Sequence, residues 1–403
     1  MKVLYANPIF LDYRIPYYKR LKELFNNEFY VMYSPWRYKG RYDTLLEKIP
    51  QQLGQNAIEY KDEKLYDVAT HSFKKYTVGG KRIPYPHKLL RKIRKLRPDI
   101  IISEGFFQWT PWIILYKILF KCKLFIGYER TCHTERNANW LQIWDRKISN
   151  WFIDGYLVNG KETIKYLTSL NISPKKIHIG GMCADSEGLR SNINGFPQEE
   201  RFTFHQRFKR NGDGLIFLFT GMMIKRKGVD HLLMAWKEHI KKHPNDSLVL
   251  VGKGDLLDPL KKQYSDNPSI YFEGHVEYDN IYKYYAIADV YILPTIEDNW
   301  SLVIPEAMSC GLPVATSIYN GCHSELIKDG INGFTFDTFK HETIISTLEK
   351  FHHVDLKRFG EASIELEKPF NTENCAKRTY EVILDSIFLS KNETNEYKNL
   401  DHL

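Results

Sequence analysis

The chain lacks several things that would have narrowed its function at once. Its six cysteines, Cys122, Cys132, Cys183, Cys310, Cys322 and Cys375, form no CxxC pair or other metal-like spacing. Free thiols in a reducing cytoplasm are the simplest account, and no metal is expected. The N-terminus, MKVLYANPIF, has no basic-then-apolar leader, so secretion is not expected. The longest apolar run, 109–125, is interrupted by Lys117, Lys121 and Lys123. It is too short and too charged to span a bilayer. No RNP-like, helix-turn-helix or zinc pattern occurs, which argues against nucleic acid as a partner. No internal repeat appears beyond two similar halves.

What is present is the make-up of a globular protein, 43% hydrophobic and 26% charged. At 403 residues the chain exceeds one ordinary core, and two domains are expected. β-rich runs at 3–6, 28–33, 100–103, 123–128, 155–158 and 178–179 alternate with helical patterns at 17–25, 86–96, 110–120, 140–151 and 161–170. Such alternation predicts an α/β fold with a parallel, doubly wound sheet. Residues 37–66 are polar and show no clear period. Between 185 and 213 periodicity fades again, the best linker candidate, after which a second series starts with strands at 215–219, 247–251, 270–272 and 289–293. The expected domains are 1–190 and 210–370, with a helix near 372–389 and a disordered polar tail at 390–403.

Four stretches carry candidate chemistry. Strand-to-glycine junctions recur at Gly221, Gly252 and Gly274, as suits backbone that must approach a ligand. After the first, Lys225, Arg226 and Lys227 precede a helix and could hold a diphosphate, or form a solvated basic turn. In PTIEDNWSLVIPEAMSCGLP, Asp298 and Glu306 lie eight apart in a loop and the following helix start. They could be an acid/base pair, or Glu306 could accept hydrogen bonds from ribose hydroxyls. Glu129, Arg130, His133, Glu135 and Arg136 crowd the end of the 123–128 strand, either a site or an ion-pair network. Finally, 74–97 holds ten Lys or Arg and no Asp or Glu. Over 86–97 its apolar and basic faces separate at helical spacing, which suits an anionic membrane surface or a packed helix with a solvated face.

The ordered run FTGMMIKRKGVDHLLMAW, LVGKGD, FEGHV, YYAIADVYILPTIEDNWSLVIPEAMSCGLPV and NGCHSELIKDGINGFTF resembles the donor domain of the large retaining glycosyltransferase family four, of GT-B architecture. The match covers about 215–337. The resemblance implies two Rossmann-like domains facing across a cleft, the last helix crossing back to the first. It implies a nucleotide-diphosphate sugar as donor and a glycan or lipid-linked acceptor, with no cofactor and no metal. Glu306 would bind ribose, Asp298 would lie near the sugar, and Lys227 would neutralise the leaving diphosphate. Gly221, Arg226 and Gly252 would border the phosphates, the backbone at Ser301, Leu302 and Val303 would approach sugar and phosphate, and His275 and Val276 the base. His133 would be the donor-side histidine, making Asp298, Glu306, Lys227 and His133 the residues that carry catalysis. Glu104, Glu129, Arg130 and Arg136 would face the acceptor. The implied setting is cytoplasmic, peripheral to the inner membrane face, in surface polysaccharide synthesis. Three departures stand out: Asp298 where the family has Glu, Met222 where many members have Arg, and Asn7-Pro8 where a Gly-Gly loop is common. A nucleotide-sugar 2-epimerase and a catalytically silent scaffold are the alternatives on the same fold.

Overall fold

The computed structural model describes residues 1–39, 42–67, 72–74, 82–86, 88–180, 183–208 and 214–400. Among the described residues, ten short strands build the first domain: Val3–Ala6 (β1), Phe29–Tyr33 (β2), Ala57–Glu59 (β3), Lys64–Asp67 (β4), Ser72–Lys74 (β5), Arg82–Tyr85 (β6), Ile100–Glu104 (β7), Lys123–Tyr128 (β8), Gly155–Val158 (β9) and Ile177–Ile179 (β10). Seven form one parallel sheet in the order β10-β9-β8-β7-β1-β2-β3. β1, β8 and β9 are buried along almost their whole length, as both-face coverage by helices requires. β4, β5 and β6 form a small antiparallel sheet of their own.

Among the described residues, the second domain has six parallel strands: Ile216–Thr220 (β11), Ser247–Val251 (β12), Ile270–Gly274 (β13), Val290–Leu293 (β14), Val314–Ser317 (β15) and Gly333–Phe336 (β16). Their order is β13-β12-β11-β14-β15-β16. The sheet order reverses between β11 and β14, the kind of switch point at which open α/β sheets form a ligand crevice. Each domain therefore offers a row of strand C-termini.

The polar stretch 37–66 is more regular than its sequence suggests. It contains the helix Asp43–Leu53, whose Leu45, Ile49 and Leu53 are buried at helical spacing despite Pro50 inside it. The expected linker at 185–213 is likewise corrected. It holds the helices Ser186–Asn194 and Gln198–Gln206, and Leu189 and Phe208 enter the second domain's core. Leu189 and Phe208 are buried although the apolar pattern is sparse, while Phe202 is left exposed.

The last helix, Thr372–Leu400, runs past the expected end at 389. No glycine or proline follows Pro369 to stop it. Its Ala376 and Ile383 join the first domain's core, and Tyr17 Oη lies 2.8 Å from Thr379 Oγ1. The chain thus returns to the first domain after completing the second.

Of the basic run 74–97, residues 75–81 and 87 lie outside the described residues. The helix Leu89–Leu96 buries Leu89 and Ile93 in the first domain's core. Its apolar face is therefore spent on the protein and cannot itself enter a membrane.

Candidate functional site

On the first-domain side, β7 and β8 end side by side at Glu104 and Tyr128-Glu129. Glu104 accepts hydrogen bonds from Tyr5 Oη at 2.6 Å and from the buried Arg14 at 3.0 Å. Glu129 beside them is pushed up to about 7, first by burial and then by the negative charge of Glu104, with Arg14 opposing. A carboxyl so poised can exchange a proton near neutral pH. Arg130 turns toward Glu135, 3.6 Å away, which also holds Arg146 at 2.5 Å. Glu104, Glu129 and Arg130 line a 360 Å³ cavity with Phe106 and Phe107. A 170 Å³ neighbour is walled by Asn7, Pro8, Tyr13 and Arg14, so the Asn7-Pro8 turn occupies the place between β1 and the first helix.

On the second-domain side, the turn after β11 is built on glycine. Gly221 and Gly252 have φ of 148° and 147°, and a Cβ on Gly252 would come within 1.7 Å of Gly221 O. Two strand ends thereby pack backbone on backbone, which no side chain would permit. The short turn Lys225–Lys227 follows. Lys227 Nζ donates to Asp298 Oδ2 at 2.5 Å, and Arg226 Nη1 lies 3.8 Å from the same oxygen. Burial would raise the Asp298 carboxyl, but Lys227, a hydrogen bond from Ser301 and the Arg226 charge together hold the group below the usual carboxylate range. Met222 is exposed, so Arg226 is the guanidinium that reaches this acid.

Glu306 is buried in the short helix Val303–Ser309. It accepts from Tyr285 Oη at 3.0 Å and from Tyr278 Oη at 3.2 Å. Burial pushes it up to about 7 against the pull of those two hydroxyls. The Ser301 N–H donates to Asn320 Oδ1 at 3.3 Å, and Leu302 and Val303 open the helix. His275 is exposed with Nε2 3.1 Å from Glu277, while Val276 packs on the core.

The two sides meet. Asn299 Nδ2 lies 3.3 Å from Glu129 Oε1. Arg136 pairs with Glu297 at 2.6 Å, an ion pair between the two domains. His133 Nε2 lies 3.0 Å from Ile296 O, with its ring stacked on Tyr319. His133, Arg136, Arg226 and Glu297 line a separate 410 Å³ cavity. The structure thus parts Arg136 from Glu104 and Glu129, the other expected acceptor-side residues, because its side chain follows Glu297. Asn7 Oδ1 and Asn299 Oδ1 are buried without a hydrogen-bond partner in the protein.

Among the described residues, one group could gather three metal-ligand atoms: His239, Asp246 and His352. Both imidazoles hydrogen-bond Asp246 Oδ2, at 2.7 and 2.8 Å. Asp246 immediately precedes β12, so the knot sits at the strand end opposite the cleft.

Residues 200–365 match the model of a family described as glycosyl transferases group 1. Over nearly the whole chain, the structure of HepE from Anabaena in complex with UDP superposes with a TM-score of 0.73, covering 96% of this chain and 100% of that one at 13% identity. The fold is GT-B. A sulfoquinovosyl transferase of Arabidopsis thaliana is 30% identical over 341 residues, 78% of this chain and 64% of that protein. An alpha-monoglucosyldiacylglycerol synthase of Acholeplasma laidlawii is 25% identical over 210 residues, 51% of this chain and 51% of that one. The chain spans from about a third to just under two thirds of the length of the first curated relatives it matches.

Within this GT-B cleft, Tyr5, Tyr13, Arg14, Tyr278, Tyr285 and Asn299 join the residues expected from the sequence. Tyr278 and Tyr285 had a signal: seven apart on one helix, they share a face. Arg14 had only its place after β1. Asn299 had none beyond standing next to Asp298.

Proposed function

We propose that the protein transfers a sugar from a nucleotide-diphosphate donor to a glycan or lipid-linked acceptor, with retention of configuration. The observation that supports it most is the opposition of two charged sets across one cleft. The second domain brings Lys227, Arg226, Asp298 and the Tyr-held Glu306. The first brings Arg14, Glu104 and Glu129.

In this reading Glu306 accepts from the two ribose hydroxyls, and His275 and Val276 border the base. Lys227 and Arg226 turn from Asp298 to the diphosphate, whose negative charge grows as the glycosidic bond breaks. Asp298, released, accepts from a hydroxyl of the donor sugar. No enzymic nucleophile is needed: as the bond from sugar to diphosphate breaks, the departing diphosphate flanks the oxocarbenium-like sugar on the face the acceptor approaches, and it takes the proton of the acceptor hydroxyl as the new glycosidic bond forms. Glu104 and Glu129 orient the acceptor hydroxyl, and Asn7 and Asn299 supply unfilled acceptors. His133 and Arg136 hold the two domains in register. The 360 Å³ cavity lined by Glu104 and Glu129 offers room for an acceptor, which supports transfer over 2-epimerisation, a reaction that needs none. Cell-surface polysaccharide or glycolipid synthesis, at the cytoplasmic face of a membrane, is the setting that suits these substrates.

The test is a thermal-shift screen of nucleoside diphosphates and nucleotide sugars, starting with UDP, because a bound ligand raises apparent stability by mass action. One nucleotide should raise the melting temperature, and Lys227→Ala should abolish both that rise and turnover. A screen in which no diphosphate binds, or a Lys227→Ala variant with wild-type turnover, would overturn the assignment.

A further inference from the structure

The helices Leu89–Leu96, Thr110–Phe120 and Trp140–Ser149 lie on one face of the first-domain sheet. Their inward side chains, Leu89, Ile93, Ile113 and Tyr116, complete that domain's core. Their outward sides are not polar. Of twenty large apolar side chains exposed among the described residues, ten fall between 107 and 151, so the exposure is a patch and not scatter. Leu115, Ile118, Leu119 and Phe120 are exposed on one helix. Trp140 and Trp144, one turn apart, are 67% and 60% exposed on the next, and Trp151 just beyond it is 78% exposed. The turn Asn150–Phe152 touches the helix Thr110–Phe120, which makes the two sets continuous.

The rim is basic. Arg91, Arg94, Lys95, Arg97, Lys121 and Lys147 are exposed around the patch, and the Arg94 guanidinium lies over the Phe120 ring at 5.2 Å. The exposed acids between 88 and 151 are Asp99, which accepts from the Lys2 N–H, and Asp145. Tryptophans set among aliphatic side chains, with Lys and Arg beside them, match the layered chemistry of a lipid headgroup region: apolar below, dipolar at the ring, anionic above. A protein partner would not require that ordering.

We propose that this face docks the protein on an anionic lipid bilayer, with Trp140, Trp144 and Trp151 at headgroup depth and the basic side chains of 91–97 against lipid phosphates. The membrane contact expected from the basic helix alone is thereby relocated. That helix contributes charge, and its neighbours contribute the apolar insertion. Phe107, 45% exposed at the edge of the patch, also lines the 360 Å³ cavity of Glu104 and Glu129. Resting on the transferase reading given above, this continuity delivers the head of a lipid-linked acceptor to the cavity while its chain stays in the bilayer.

The experiment is co-sedimentation of the full chain with phosphatidylcholine vesicles, with and without phosphatidylglycerol. The wild type should sediment with the mixed vesicles. Trp140→Gln, Trp144→Gln and Trp151→Gln combined should reduce partitioning by about 100-fold. Arg91→Gln with Lys95→Gln should reduce it by about 25-fold, at about fivefold per basic side chain near an anionic surface. The UDP thermal shift, measured on the same variants, reports on the donor site and on folding separately. A tryptophan variant that folds and sediments like wild type overturns the proposal. So does a lipid-free wild type that self-associates in sizing chromatography while the tryptophan variant is monomeric, since a second copy would then cover the patch. Lipid binding with no nucleotide response would instead sink the transferase reading and leave the surface standing.

Discussion

Replacing Glu306 by glutamine separates two things that the carboxylate does at once. Its pKa is pushed from 4.5 up to about 7, chiefly by burial. A raised carboxyl lends stability that is complete below pH 4.5 and is lost as pH rises through 7. At about 1.4 kcal/mol per unit, the charged group costs about 3 kcal/mol at pH 8. Glutamine keeps the shape and removes the charge, at about 1 kcal/mol for burying an amide between the two tyrosine hydroxyls. Glu306→Gln should therefore stabilise the fold by about 2 kcal/mol at pH 8, a rise of about 4–8 °C in melting temperature for domains of this size. At pH 5 the wild-type side chain is itself neutral, and the two proteins should melt together. If Glu306 accepts from ribose, the same change removes charge-assisted hydrogen bonds worth about 1.5–3 kcal/mol and weakens nucleotide binding about 10- to 100-fold. Melting curves at pH 5 and 8, with calorimetric titration of UDP, measure both effects. A variant less stable than wild type at pH 8, or one that binds nucleotide unchanged, would refute the reasoning.

Gly252→Ala should cost about 2–4 kcal/mol, because its Cβ would strike Gly221 O and its φ is unsuited to alanine. A urea midpoint equal to wild type would show that the turn can open. Arg136→Ala removes a half-exposed cross-cleft pair and should change stability by under about 1 kcal/mol. It should still let the domains part, seen as a larger radius of gyration in X-ray scattering. Unchanged scattering would leave the closure to His133 and Asn299.

Much of this arrangement was legible in the order of residues. The alternation of strand and helix gives both sheets, since a both-face-buried strand such as LVLV at 248–251 has few other readings. Glu306 and Lys227 were recognisable through their neighbours. The relation of Asp298 to Lys227 was not, because the two lie 71 residues apart and meet only across β11 and β14. The division of labour between Asp298 and Glu297 was hidden for the same reason. Adjacent in sequence, they point to Lys227 and Arg136, in different domains. For the exposed tryptophans the sequence offers only a helical pattern, and no periodicity tells which face of that helix is left uncovered. The helices at 186–206 were missed because their few apolar residues pack on helices far along the chain.

The ion pair between Lys227 and Asp298 has a bearing on which anions the cleft will admit. A carboxylate held on a neighbouring loop is a ligand that never diffuses away, present at an effective concentration of millimolar or more. Orthophosphate or any small anion must displace it with a single contact, and loses. A nucleoside diphosphate arrives with several attachments, ribose and base among them, and can outbid the tethered competitor. Once the sugar has gone, the same carboxylate is waiting to retake the lysine, so the spent nucleotide leaves a site that refills itself. Shortening the side chain from Glu to Asp sets how well that internal plug fits, and with it the balance between holding a donor and letting go of the product.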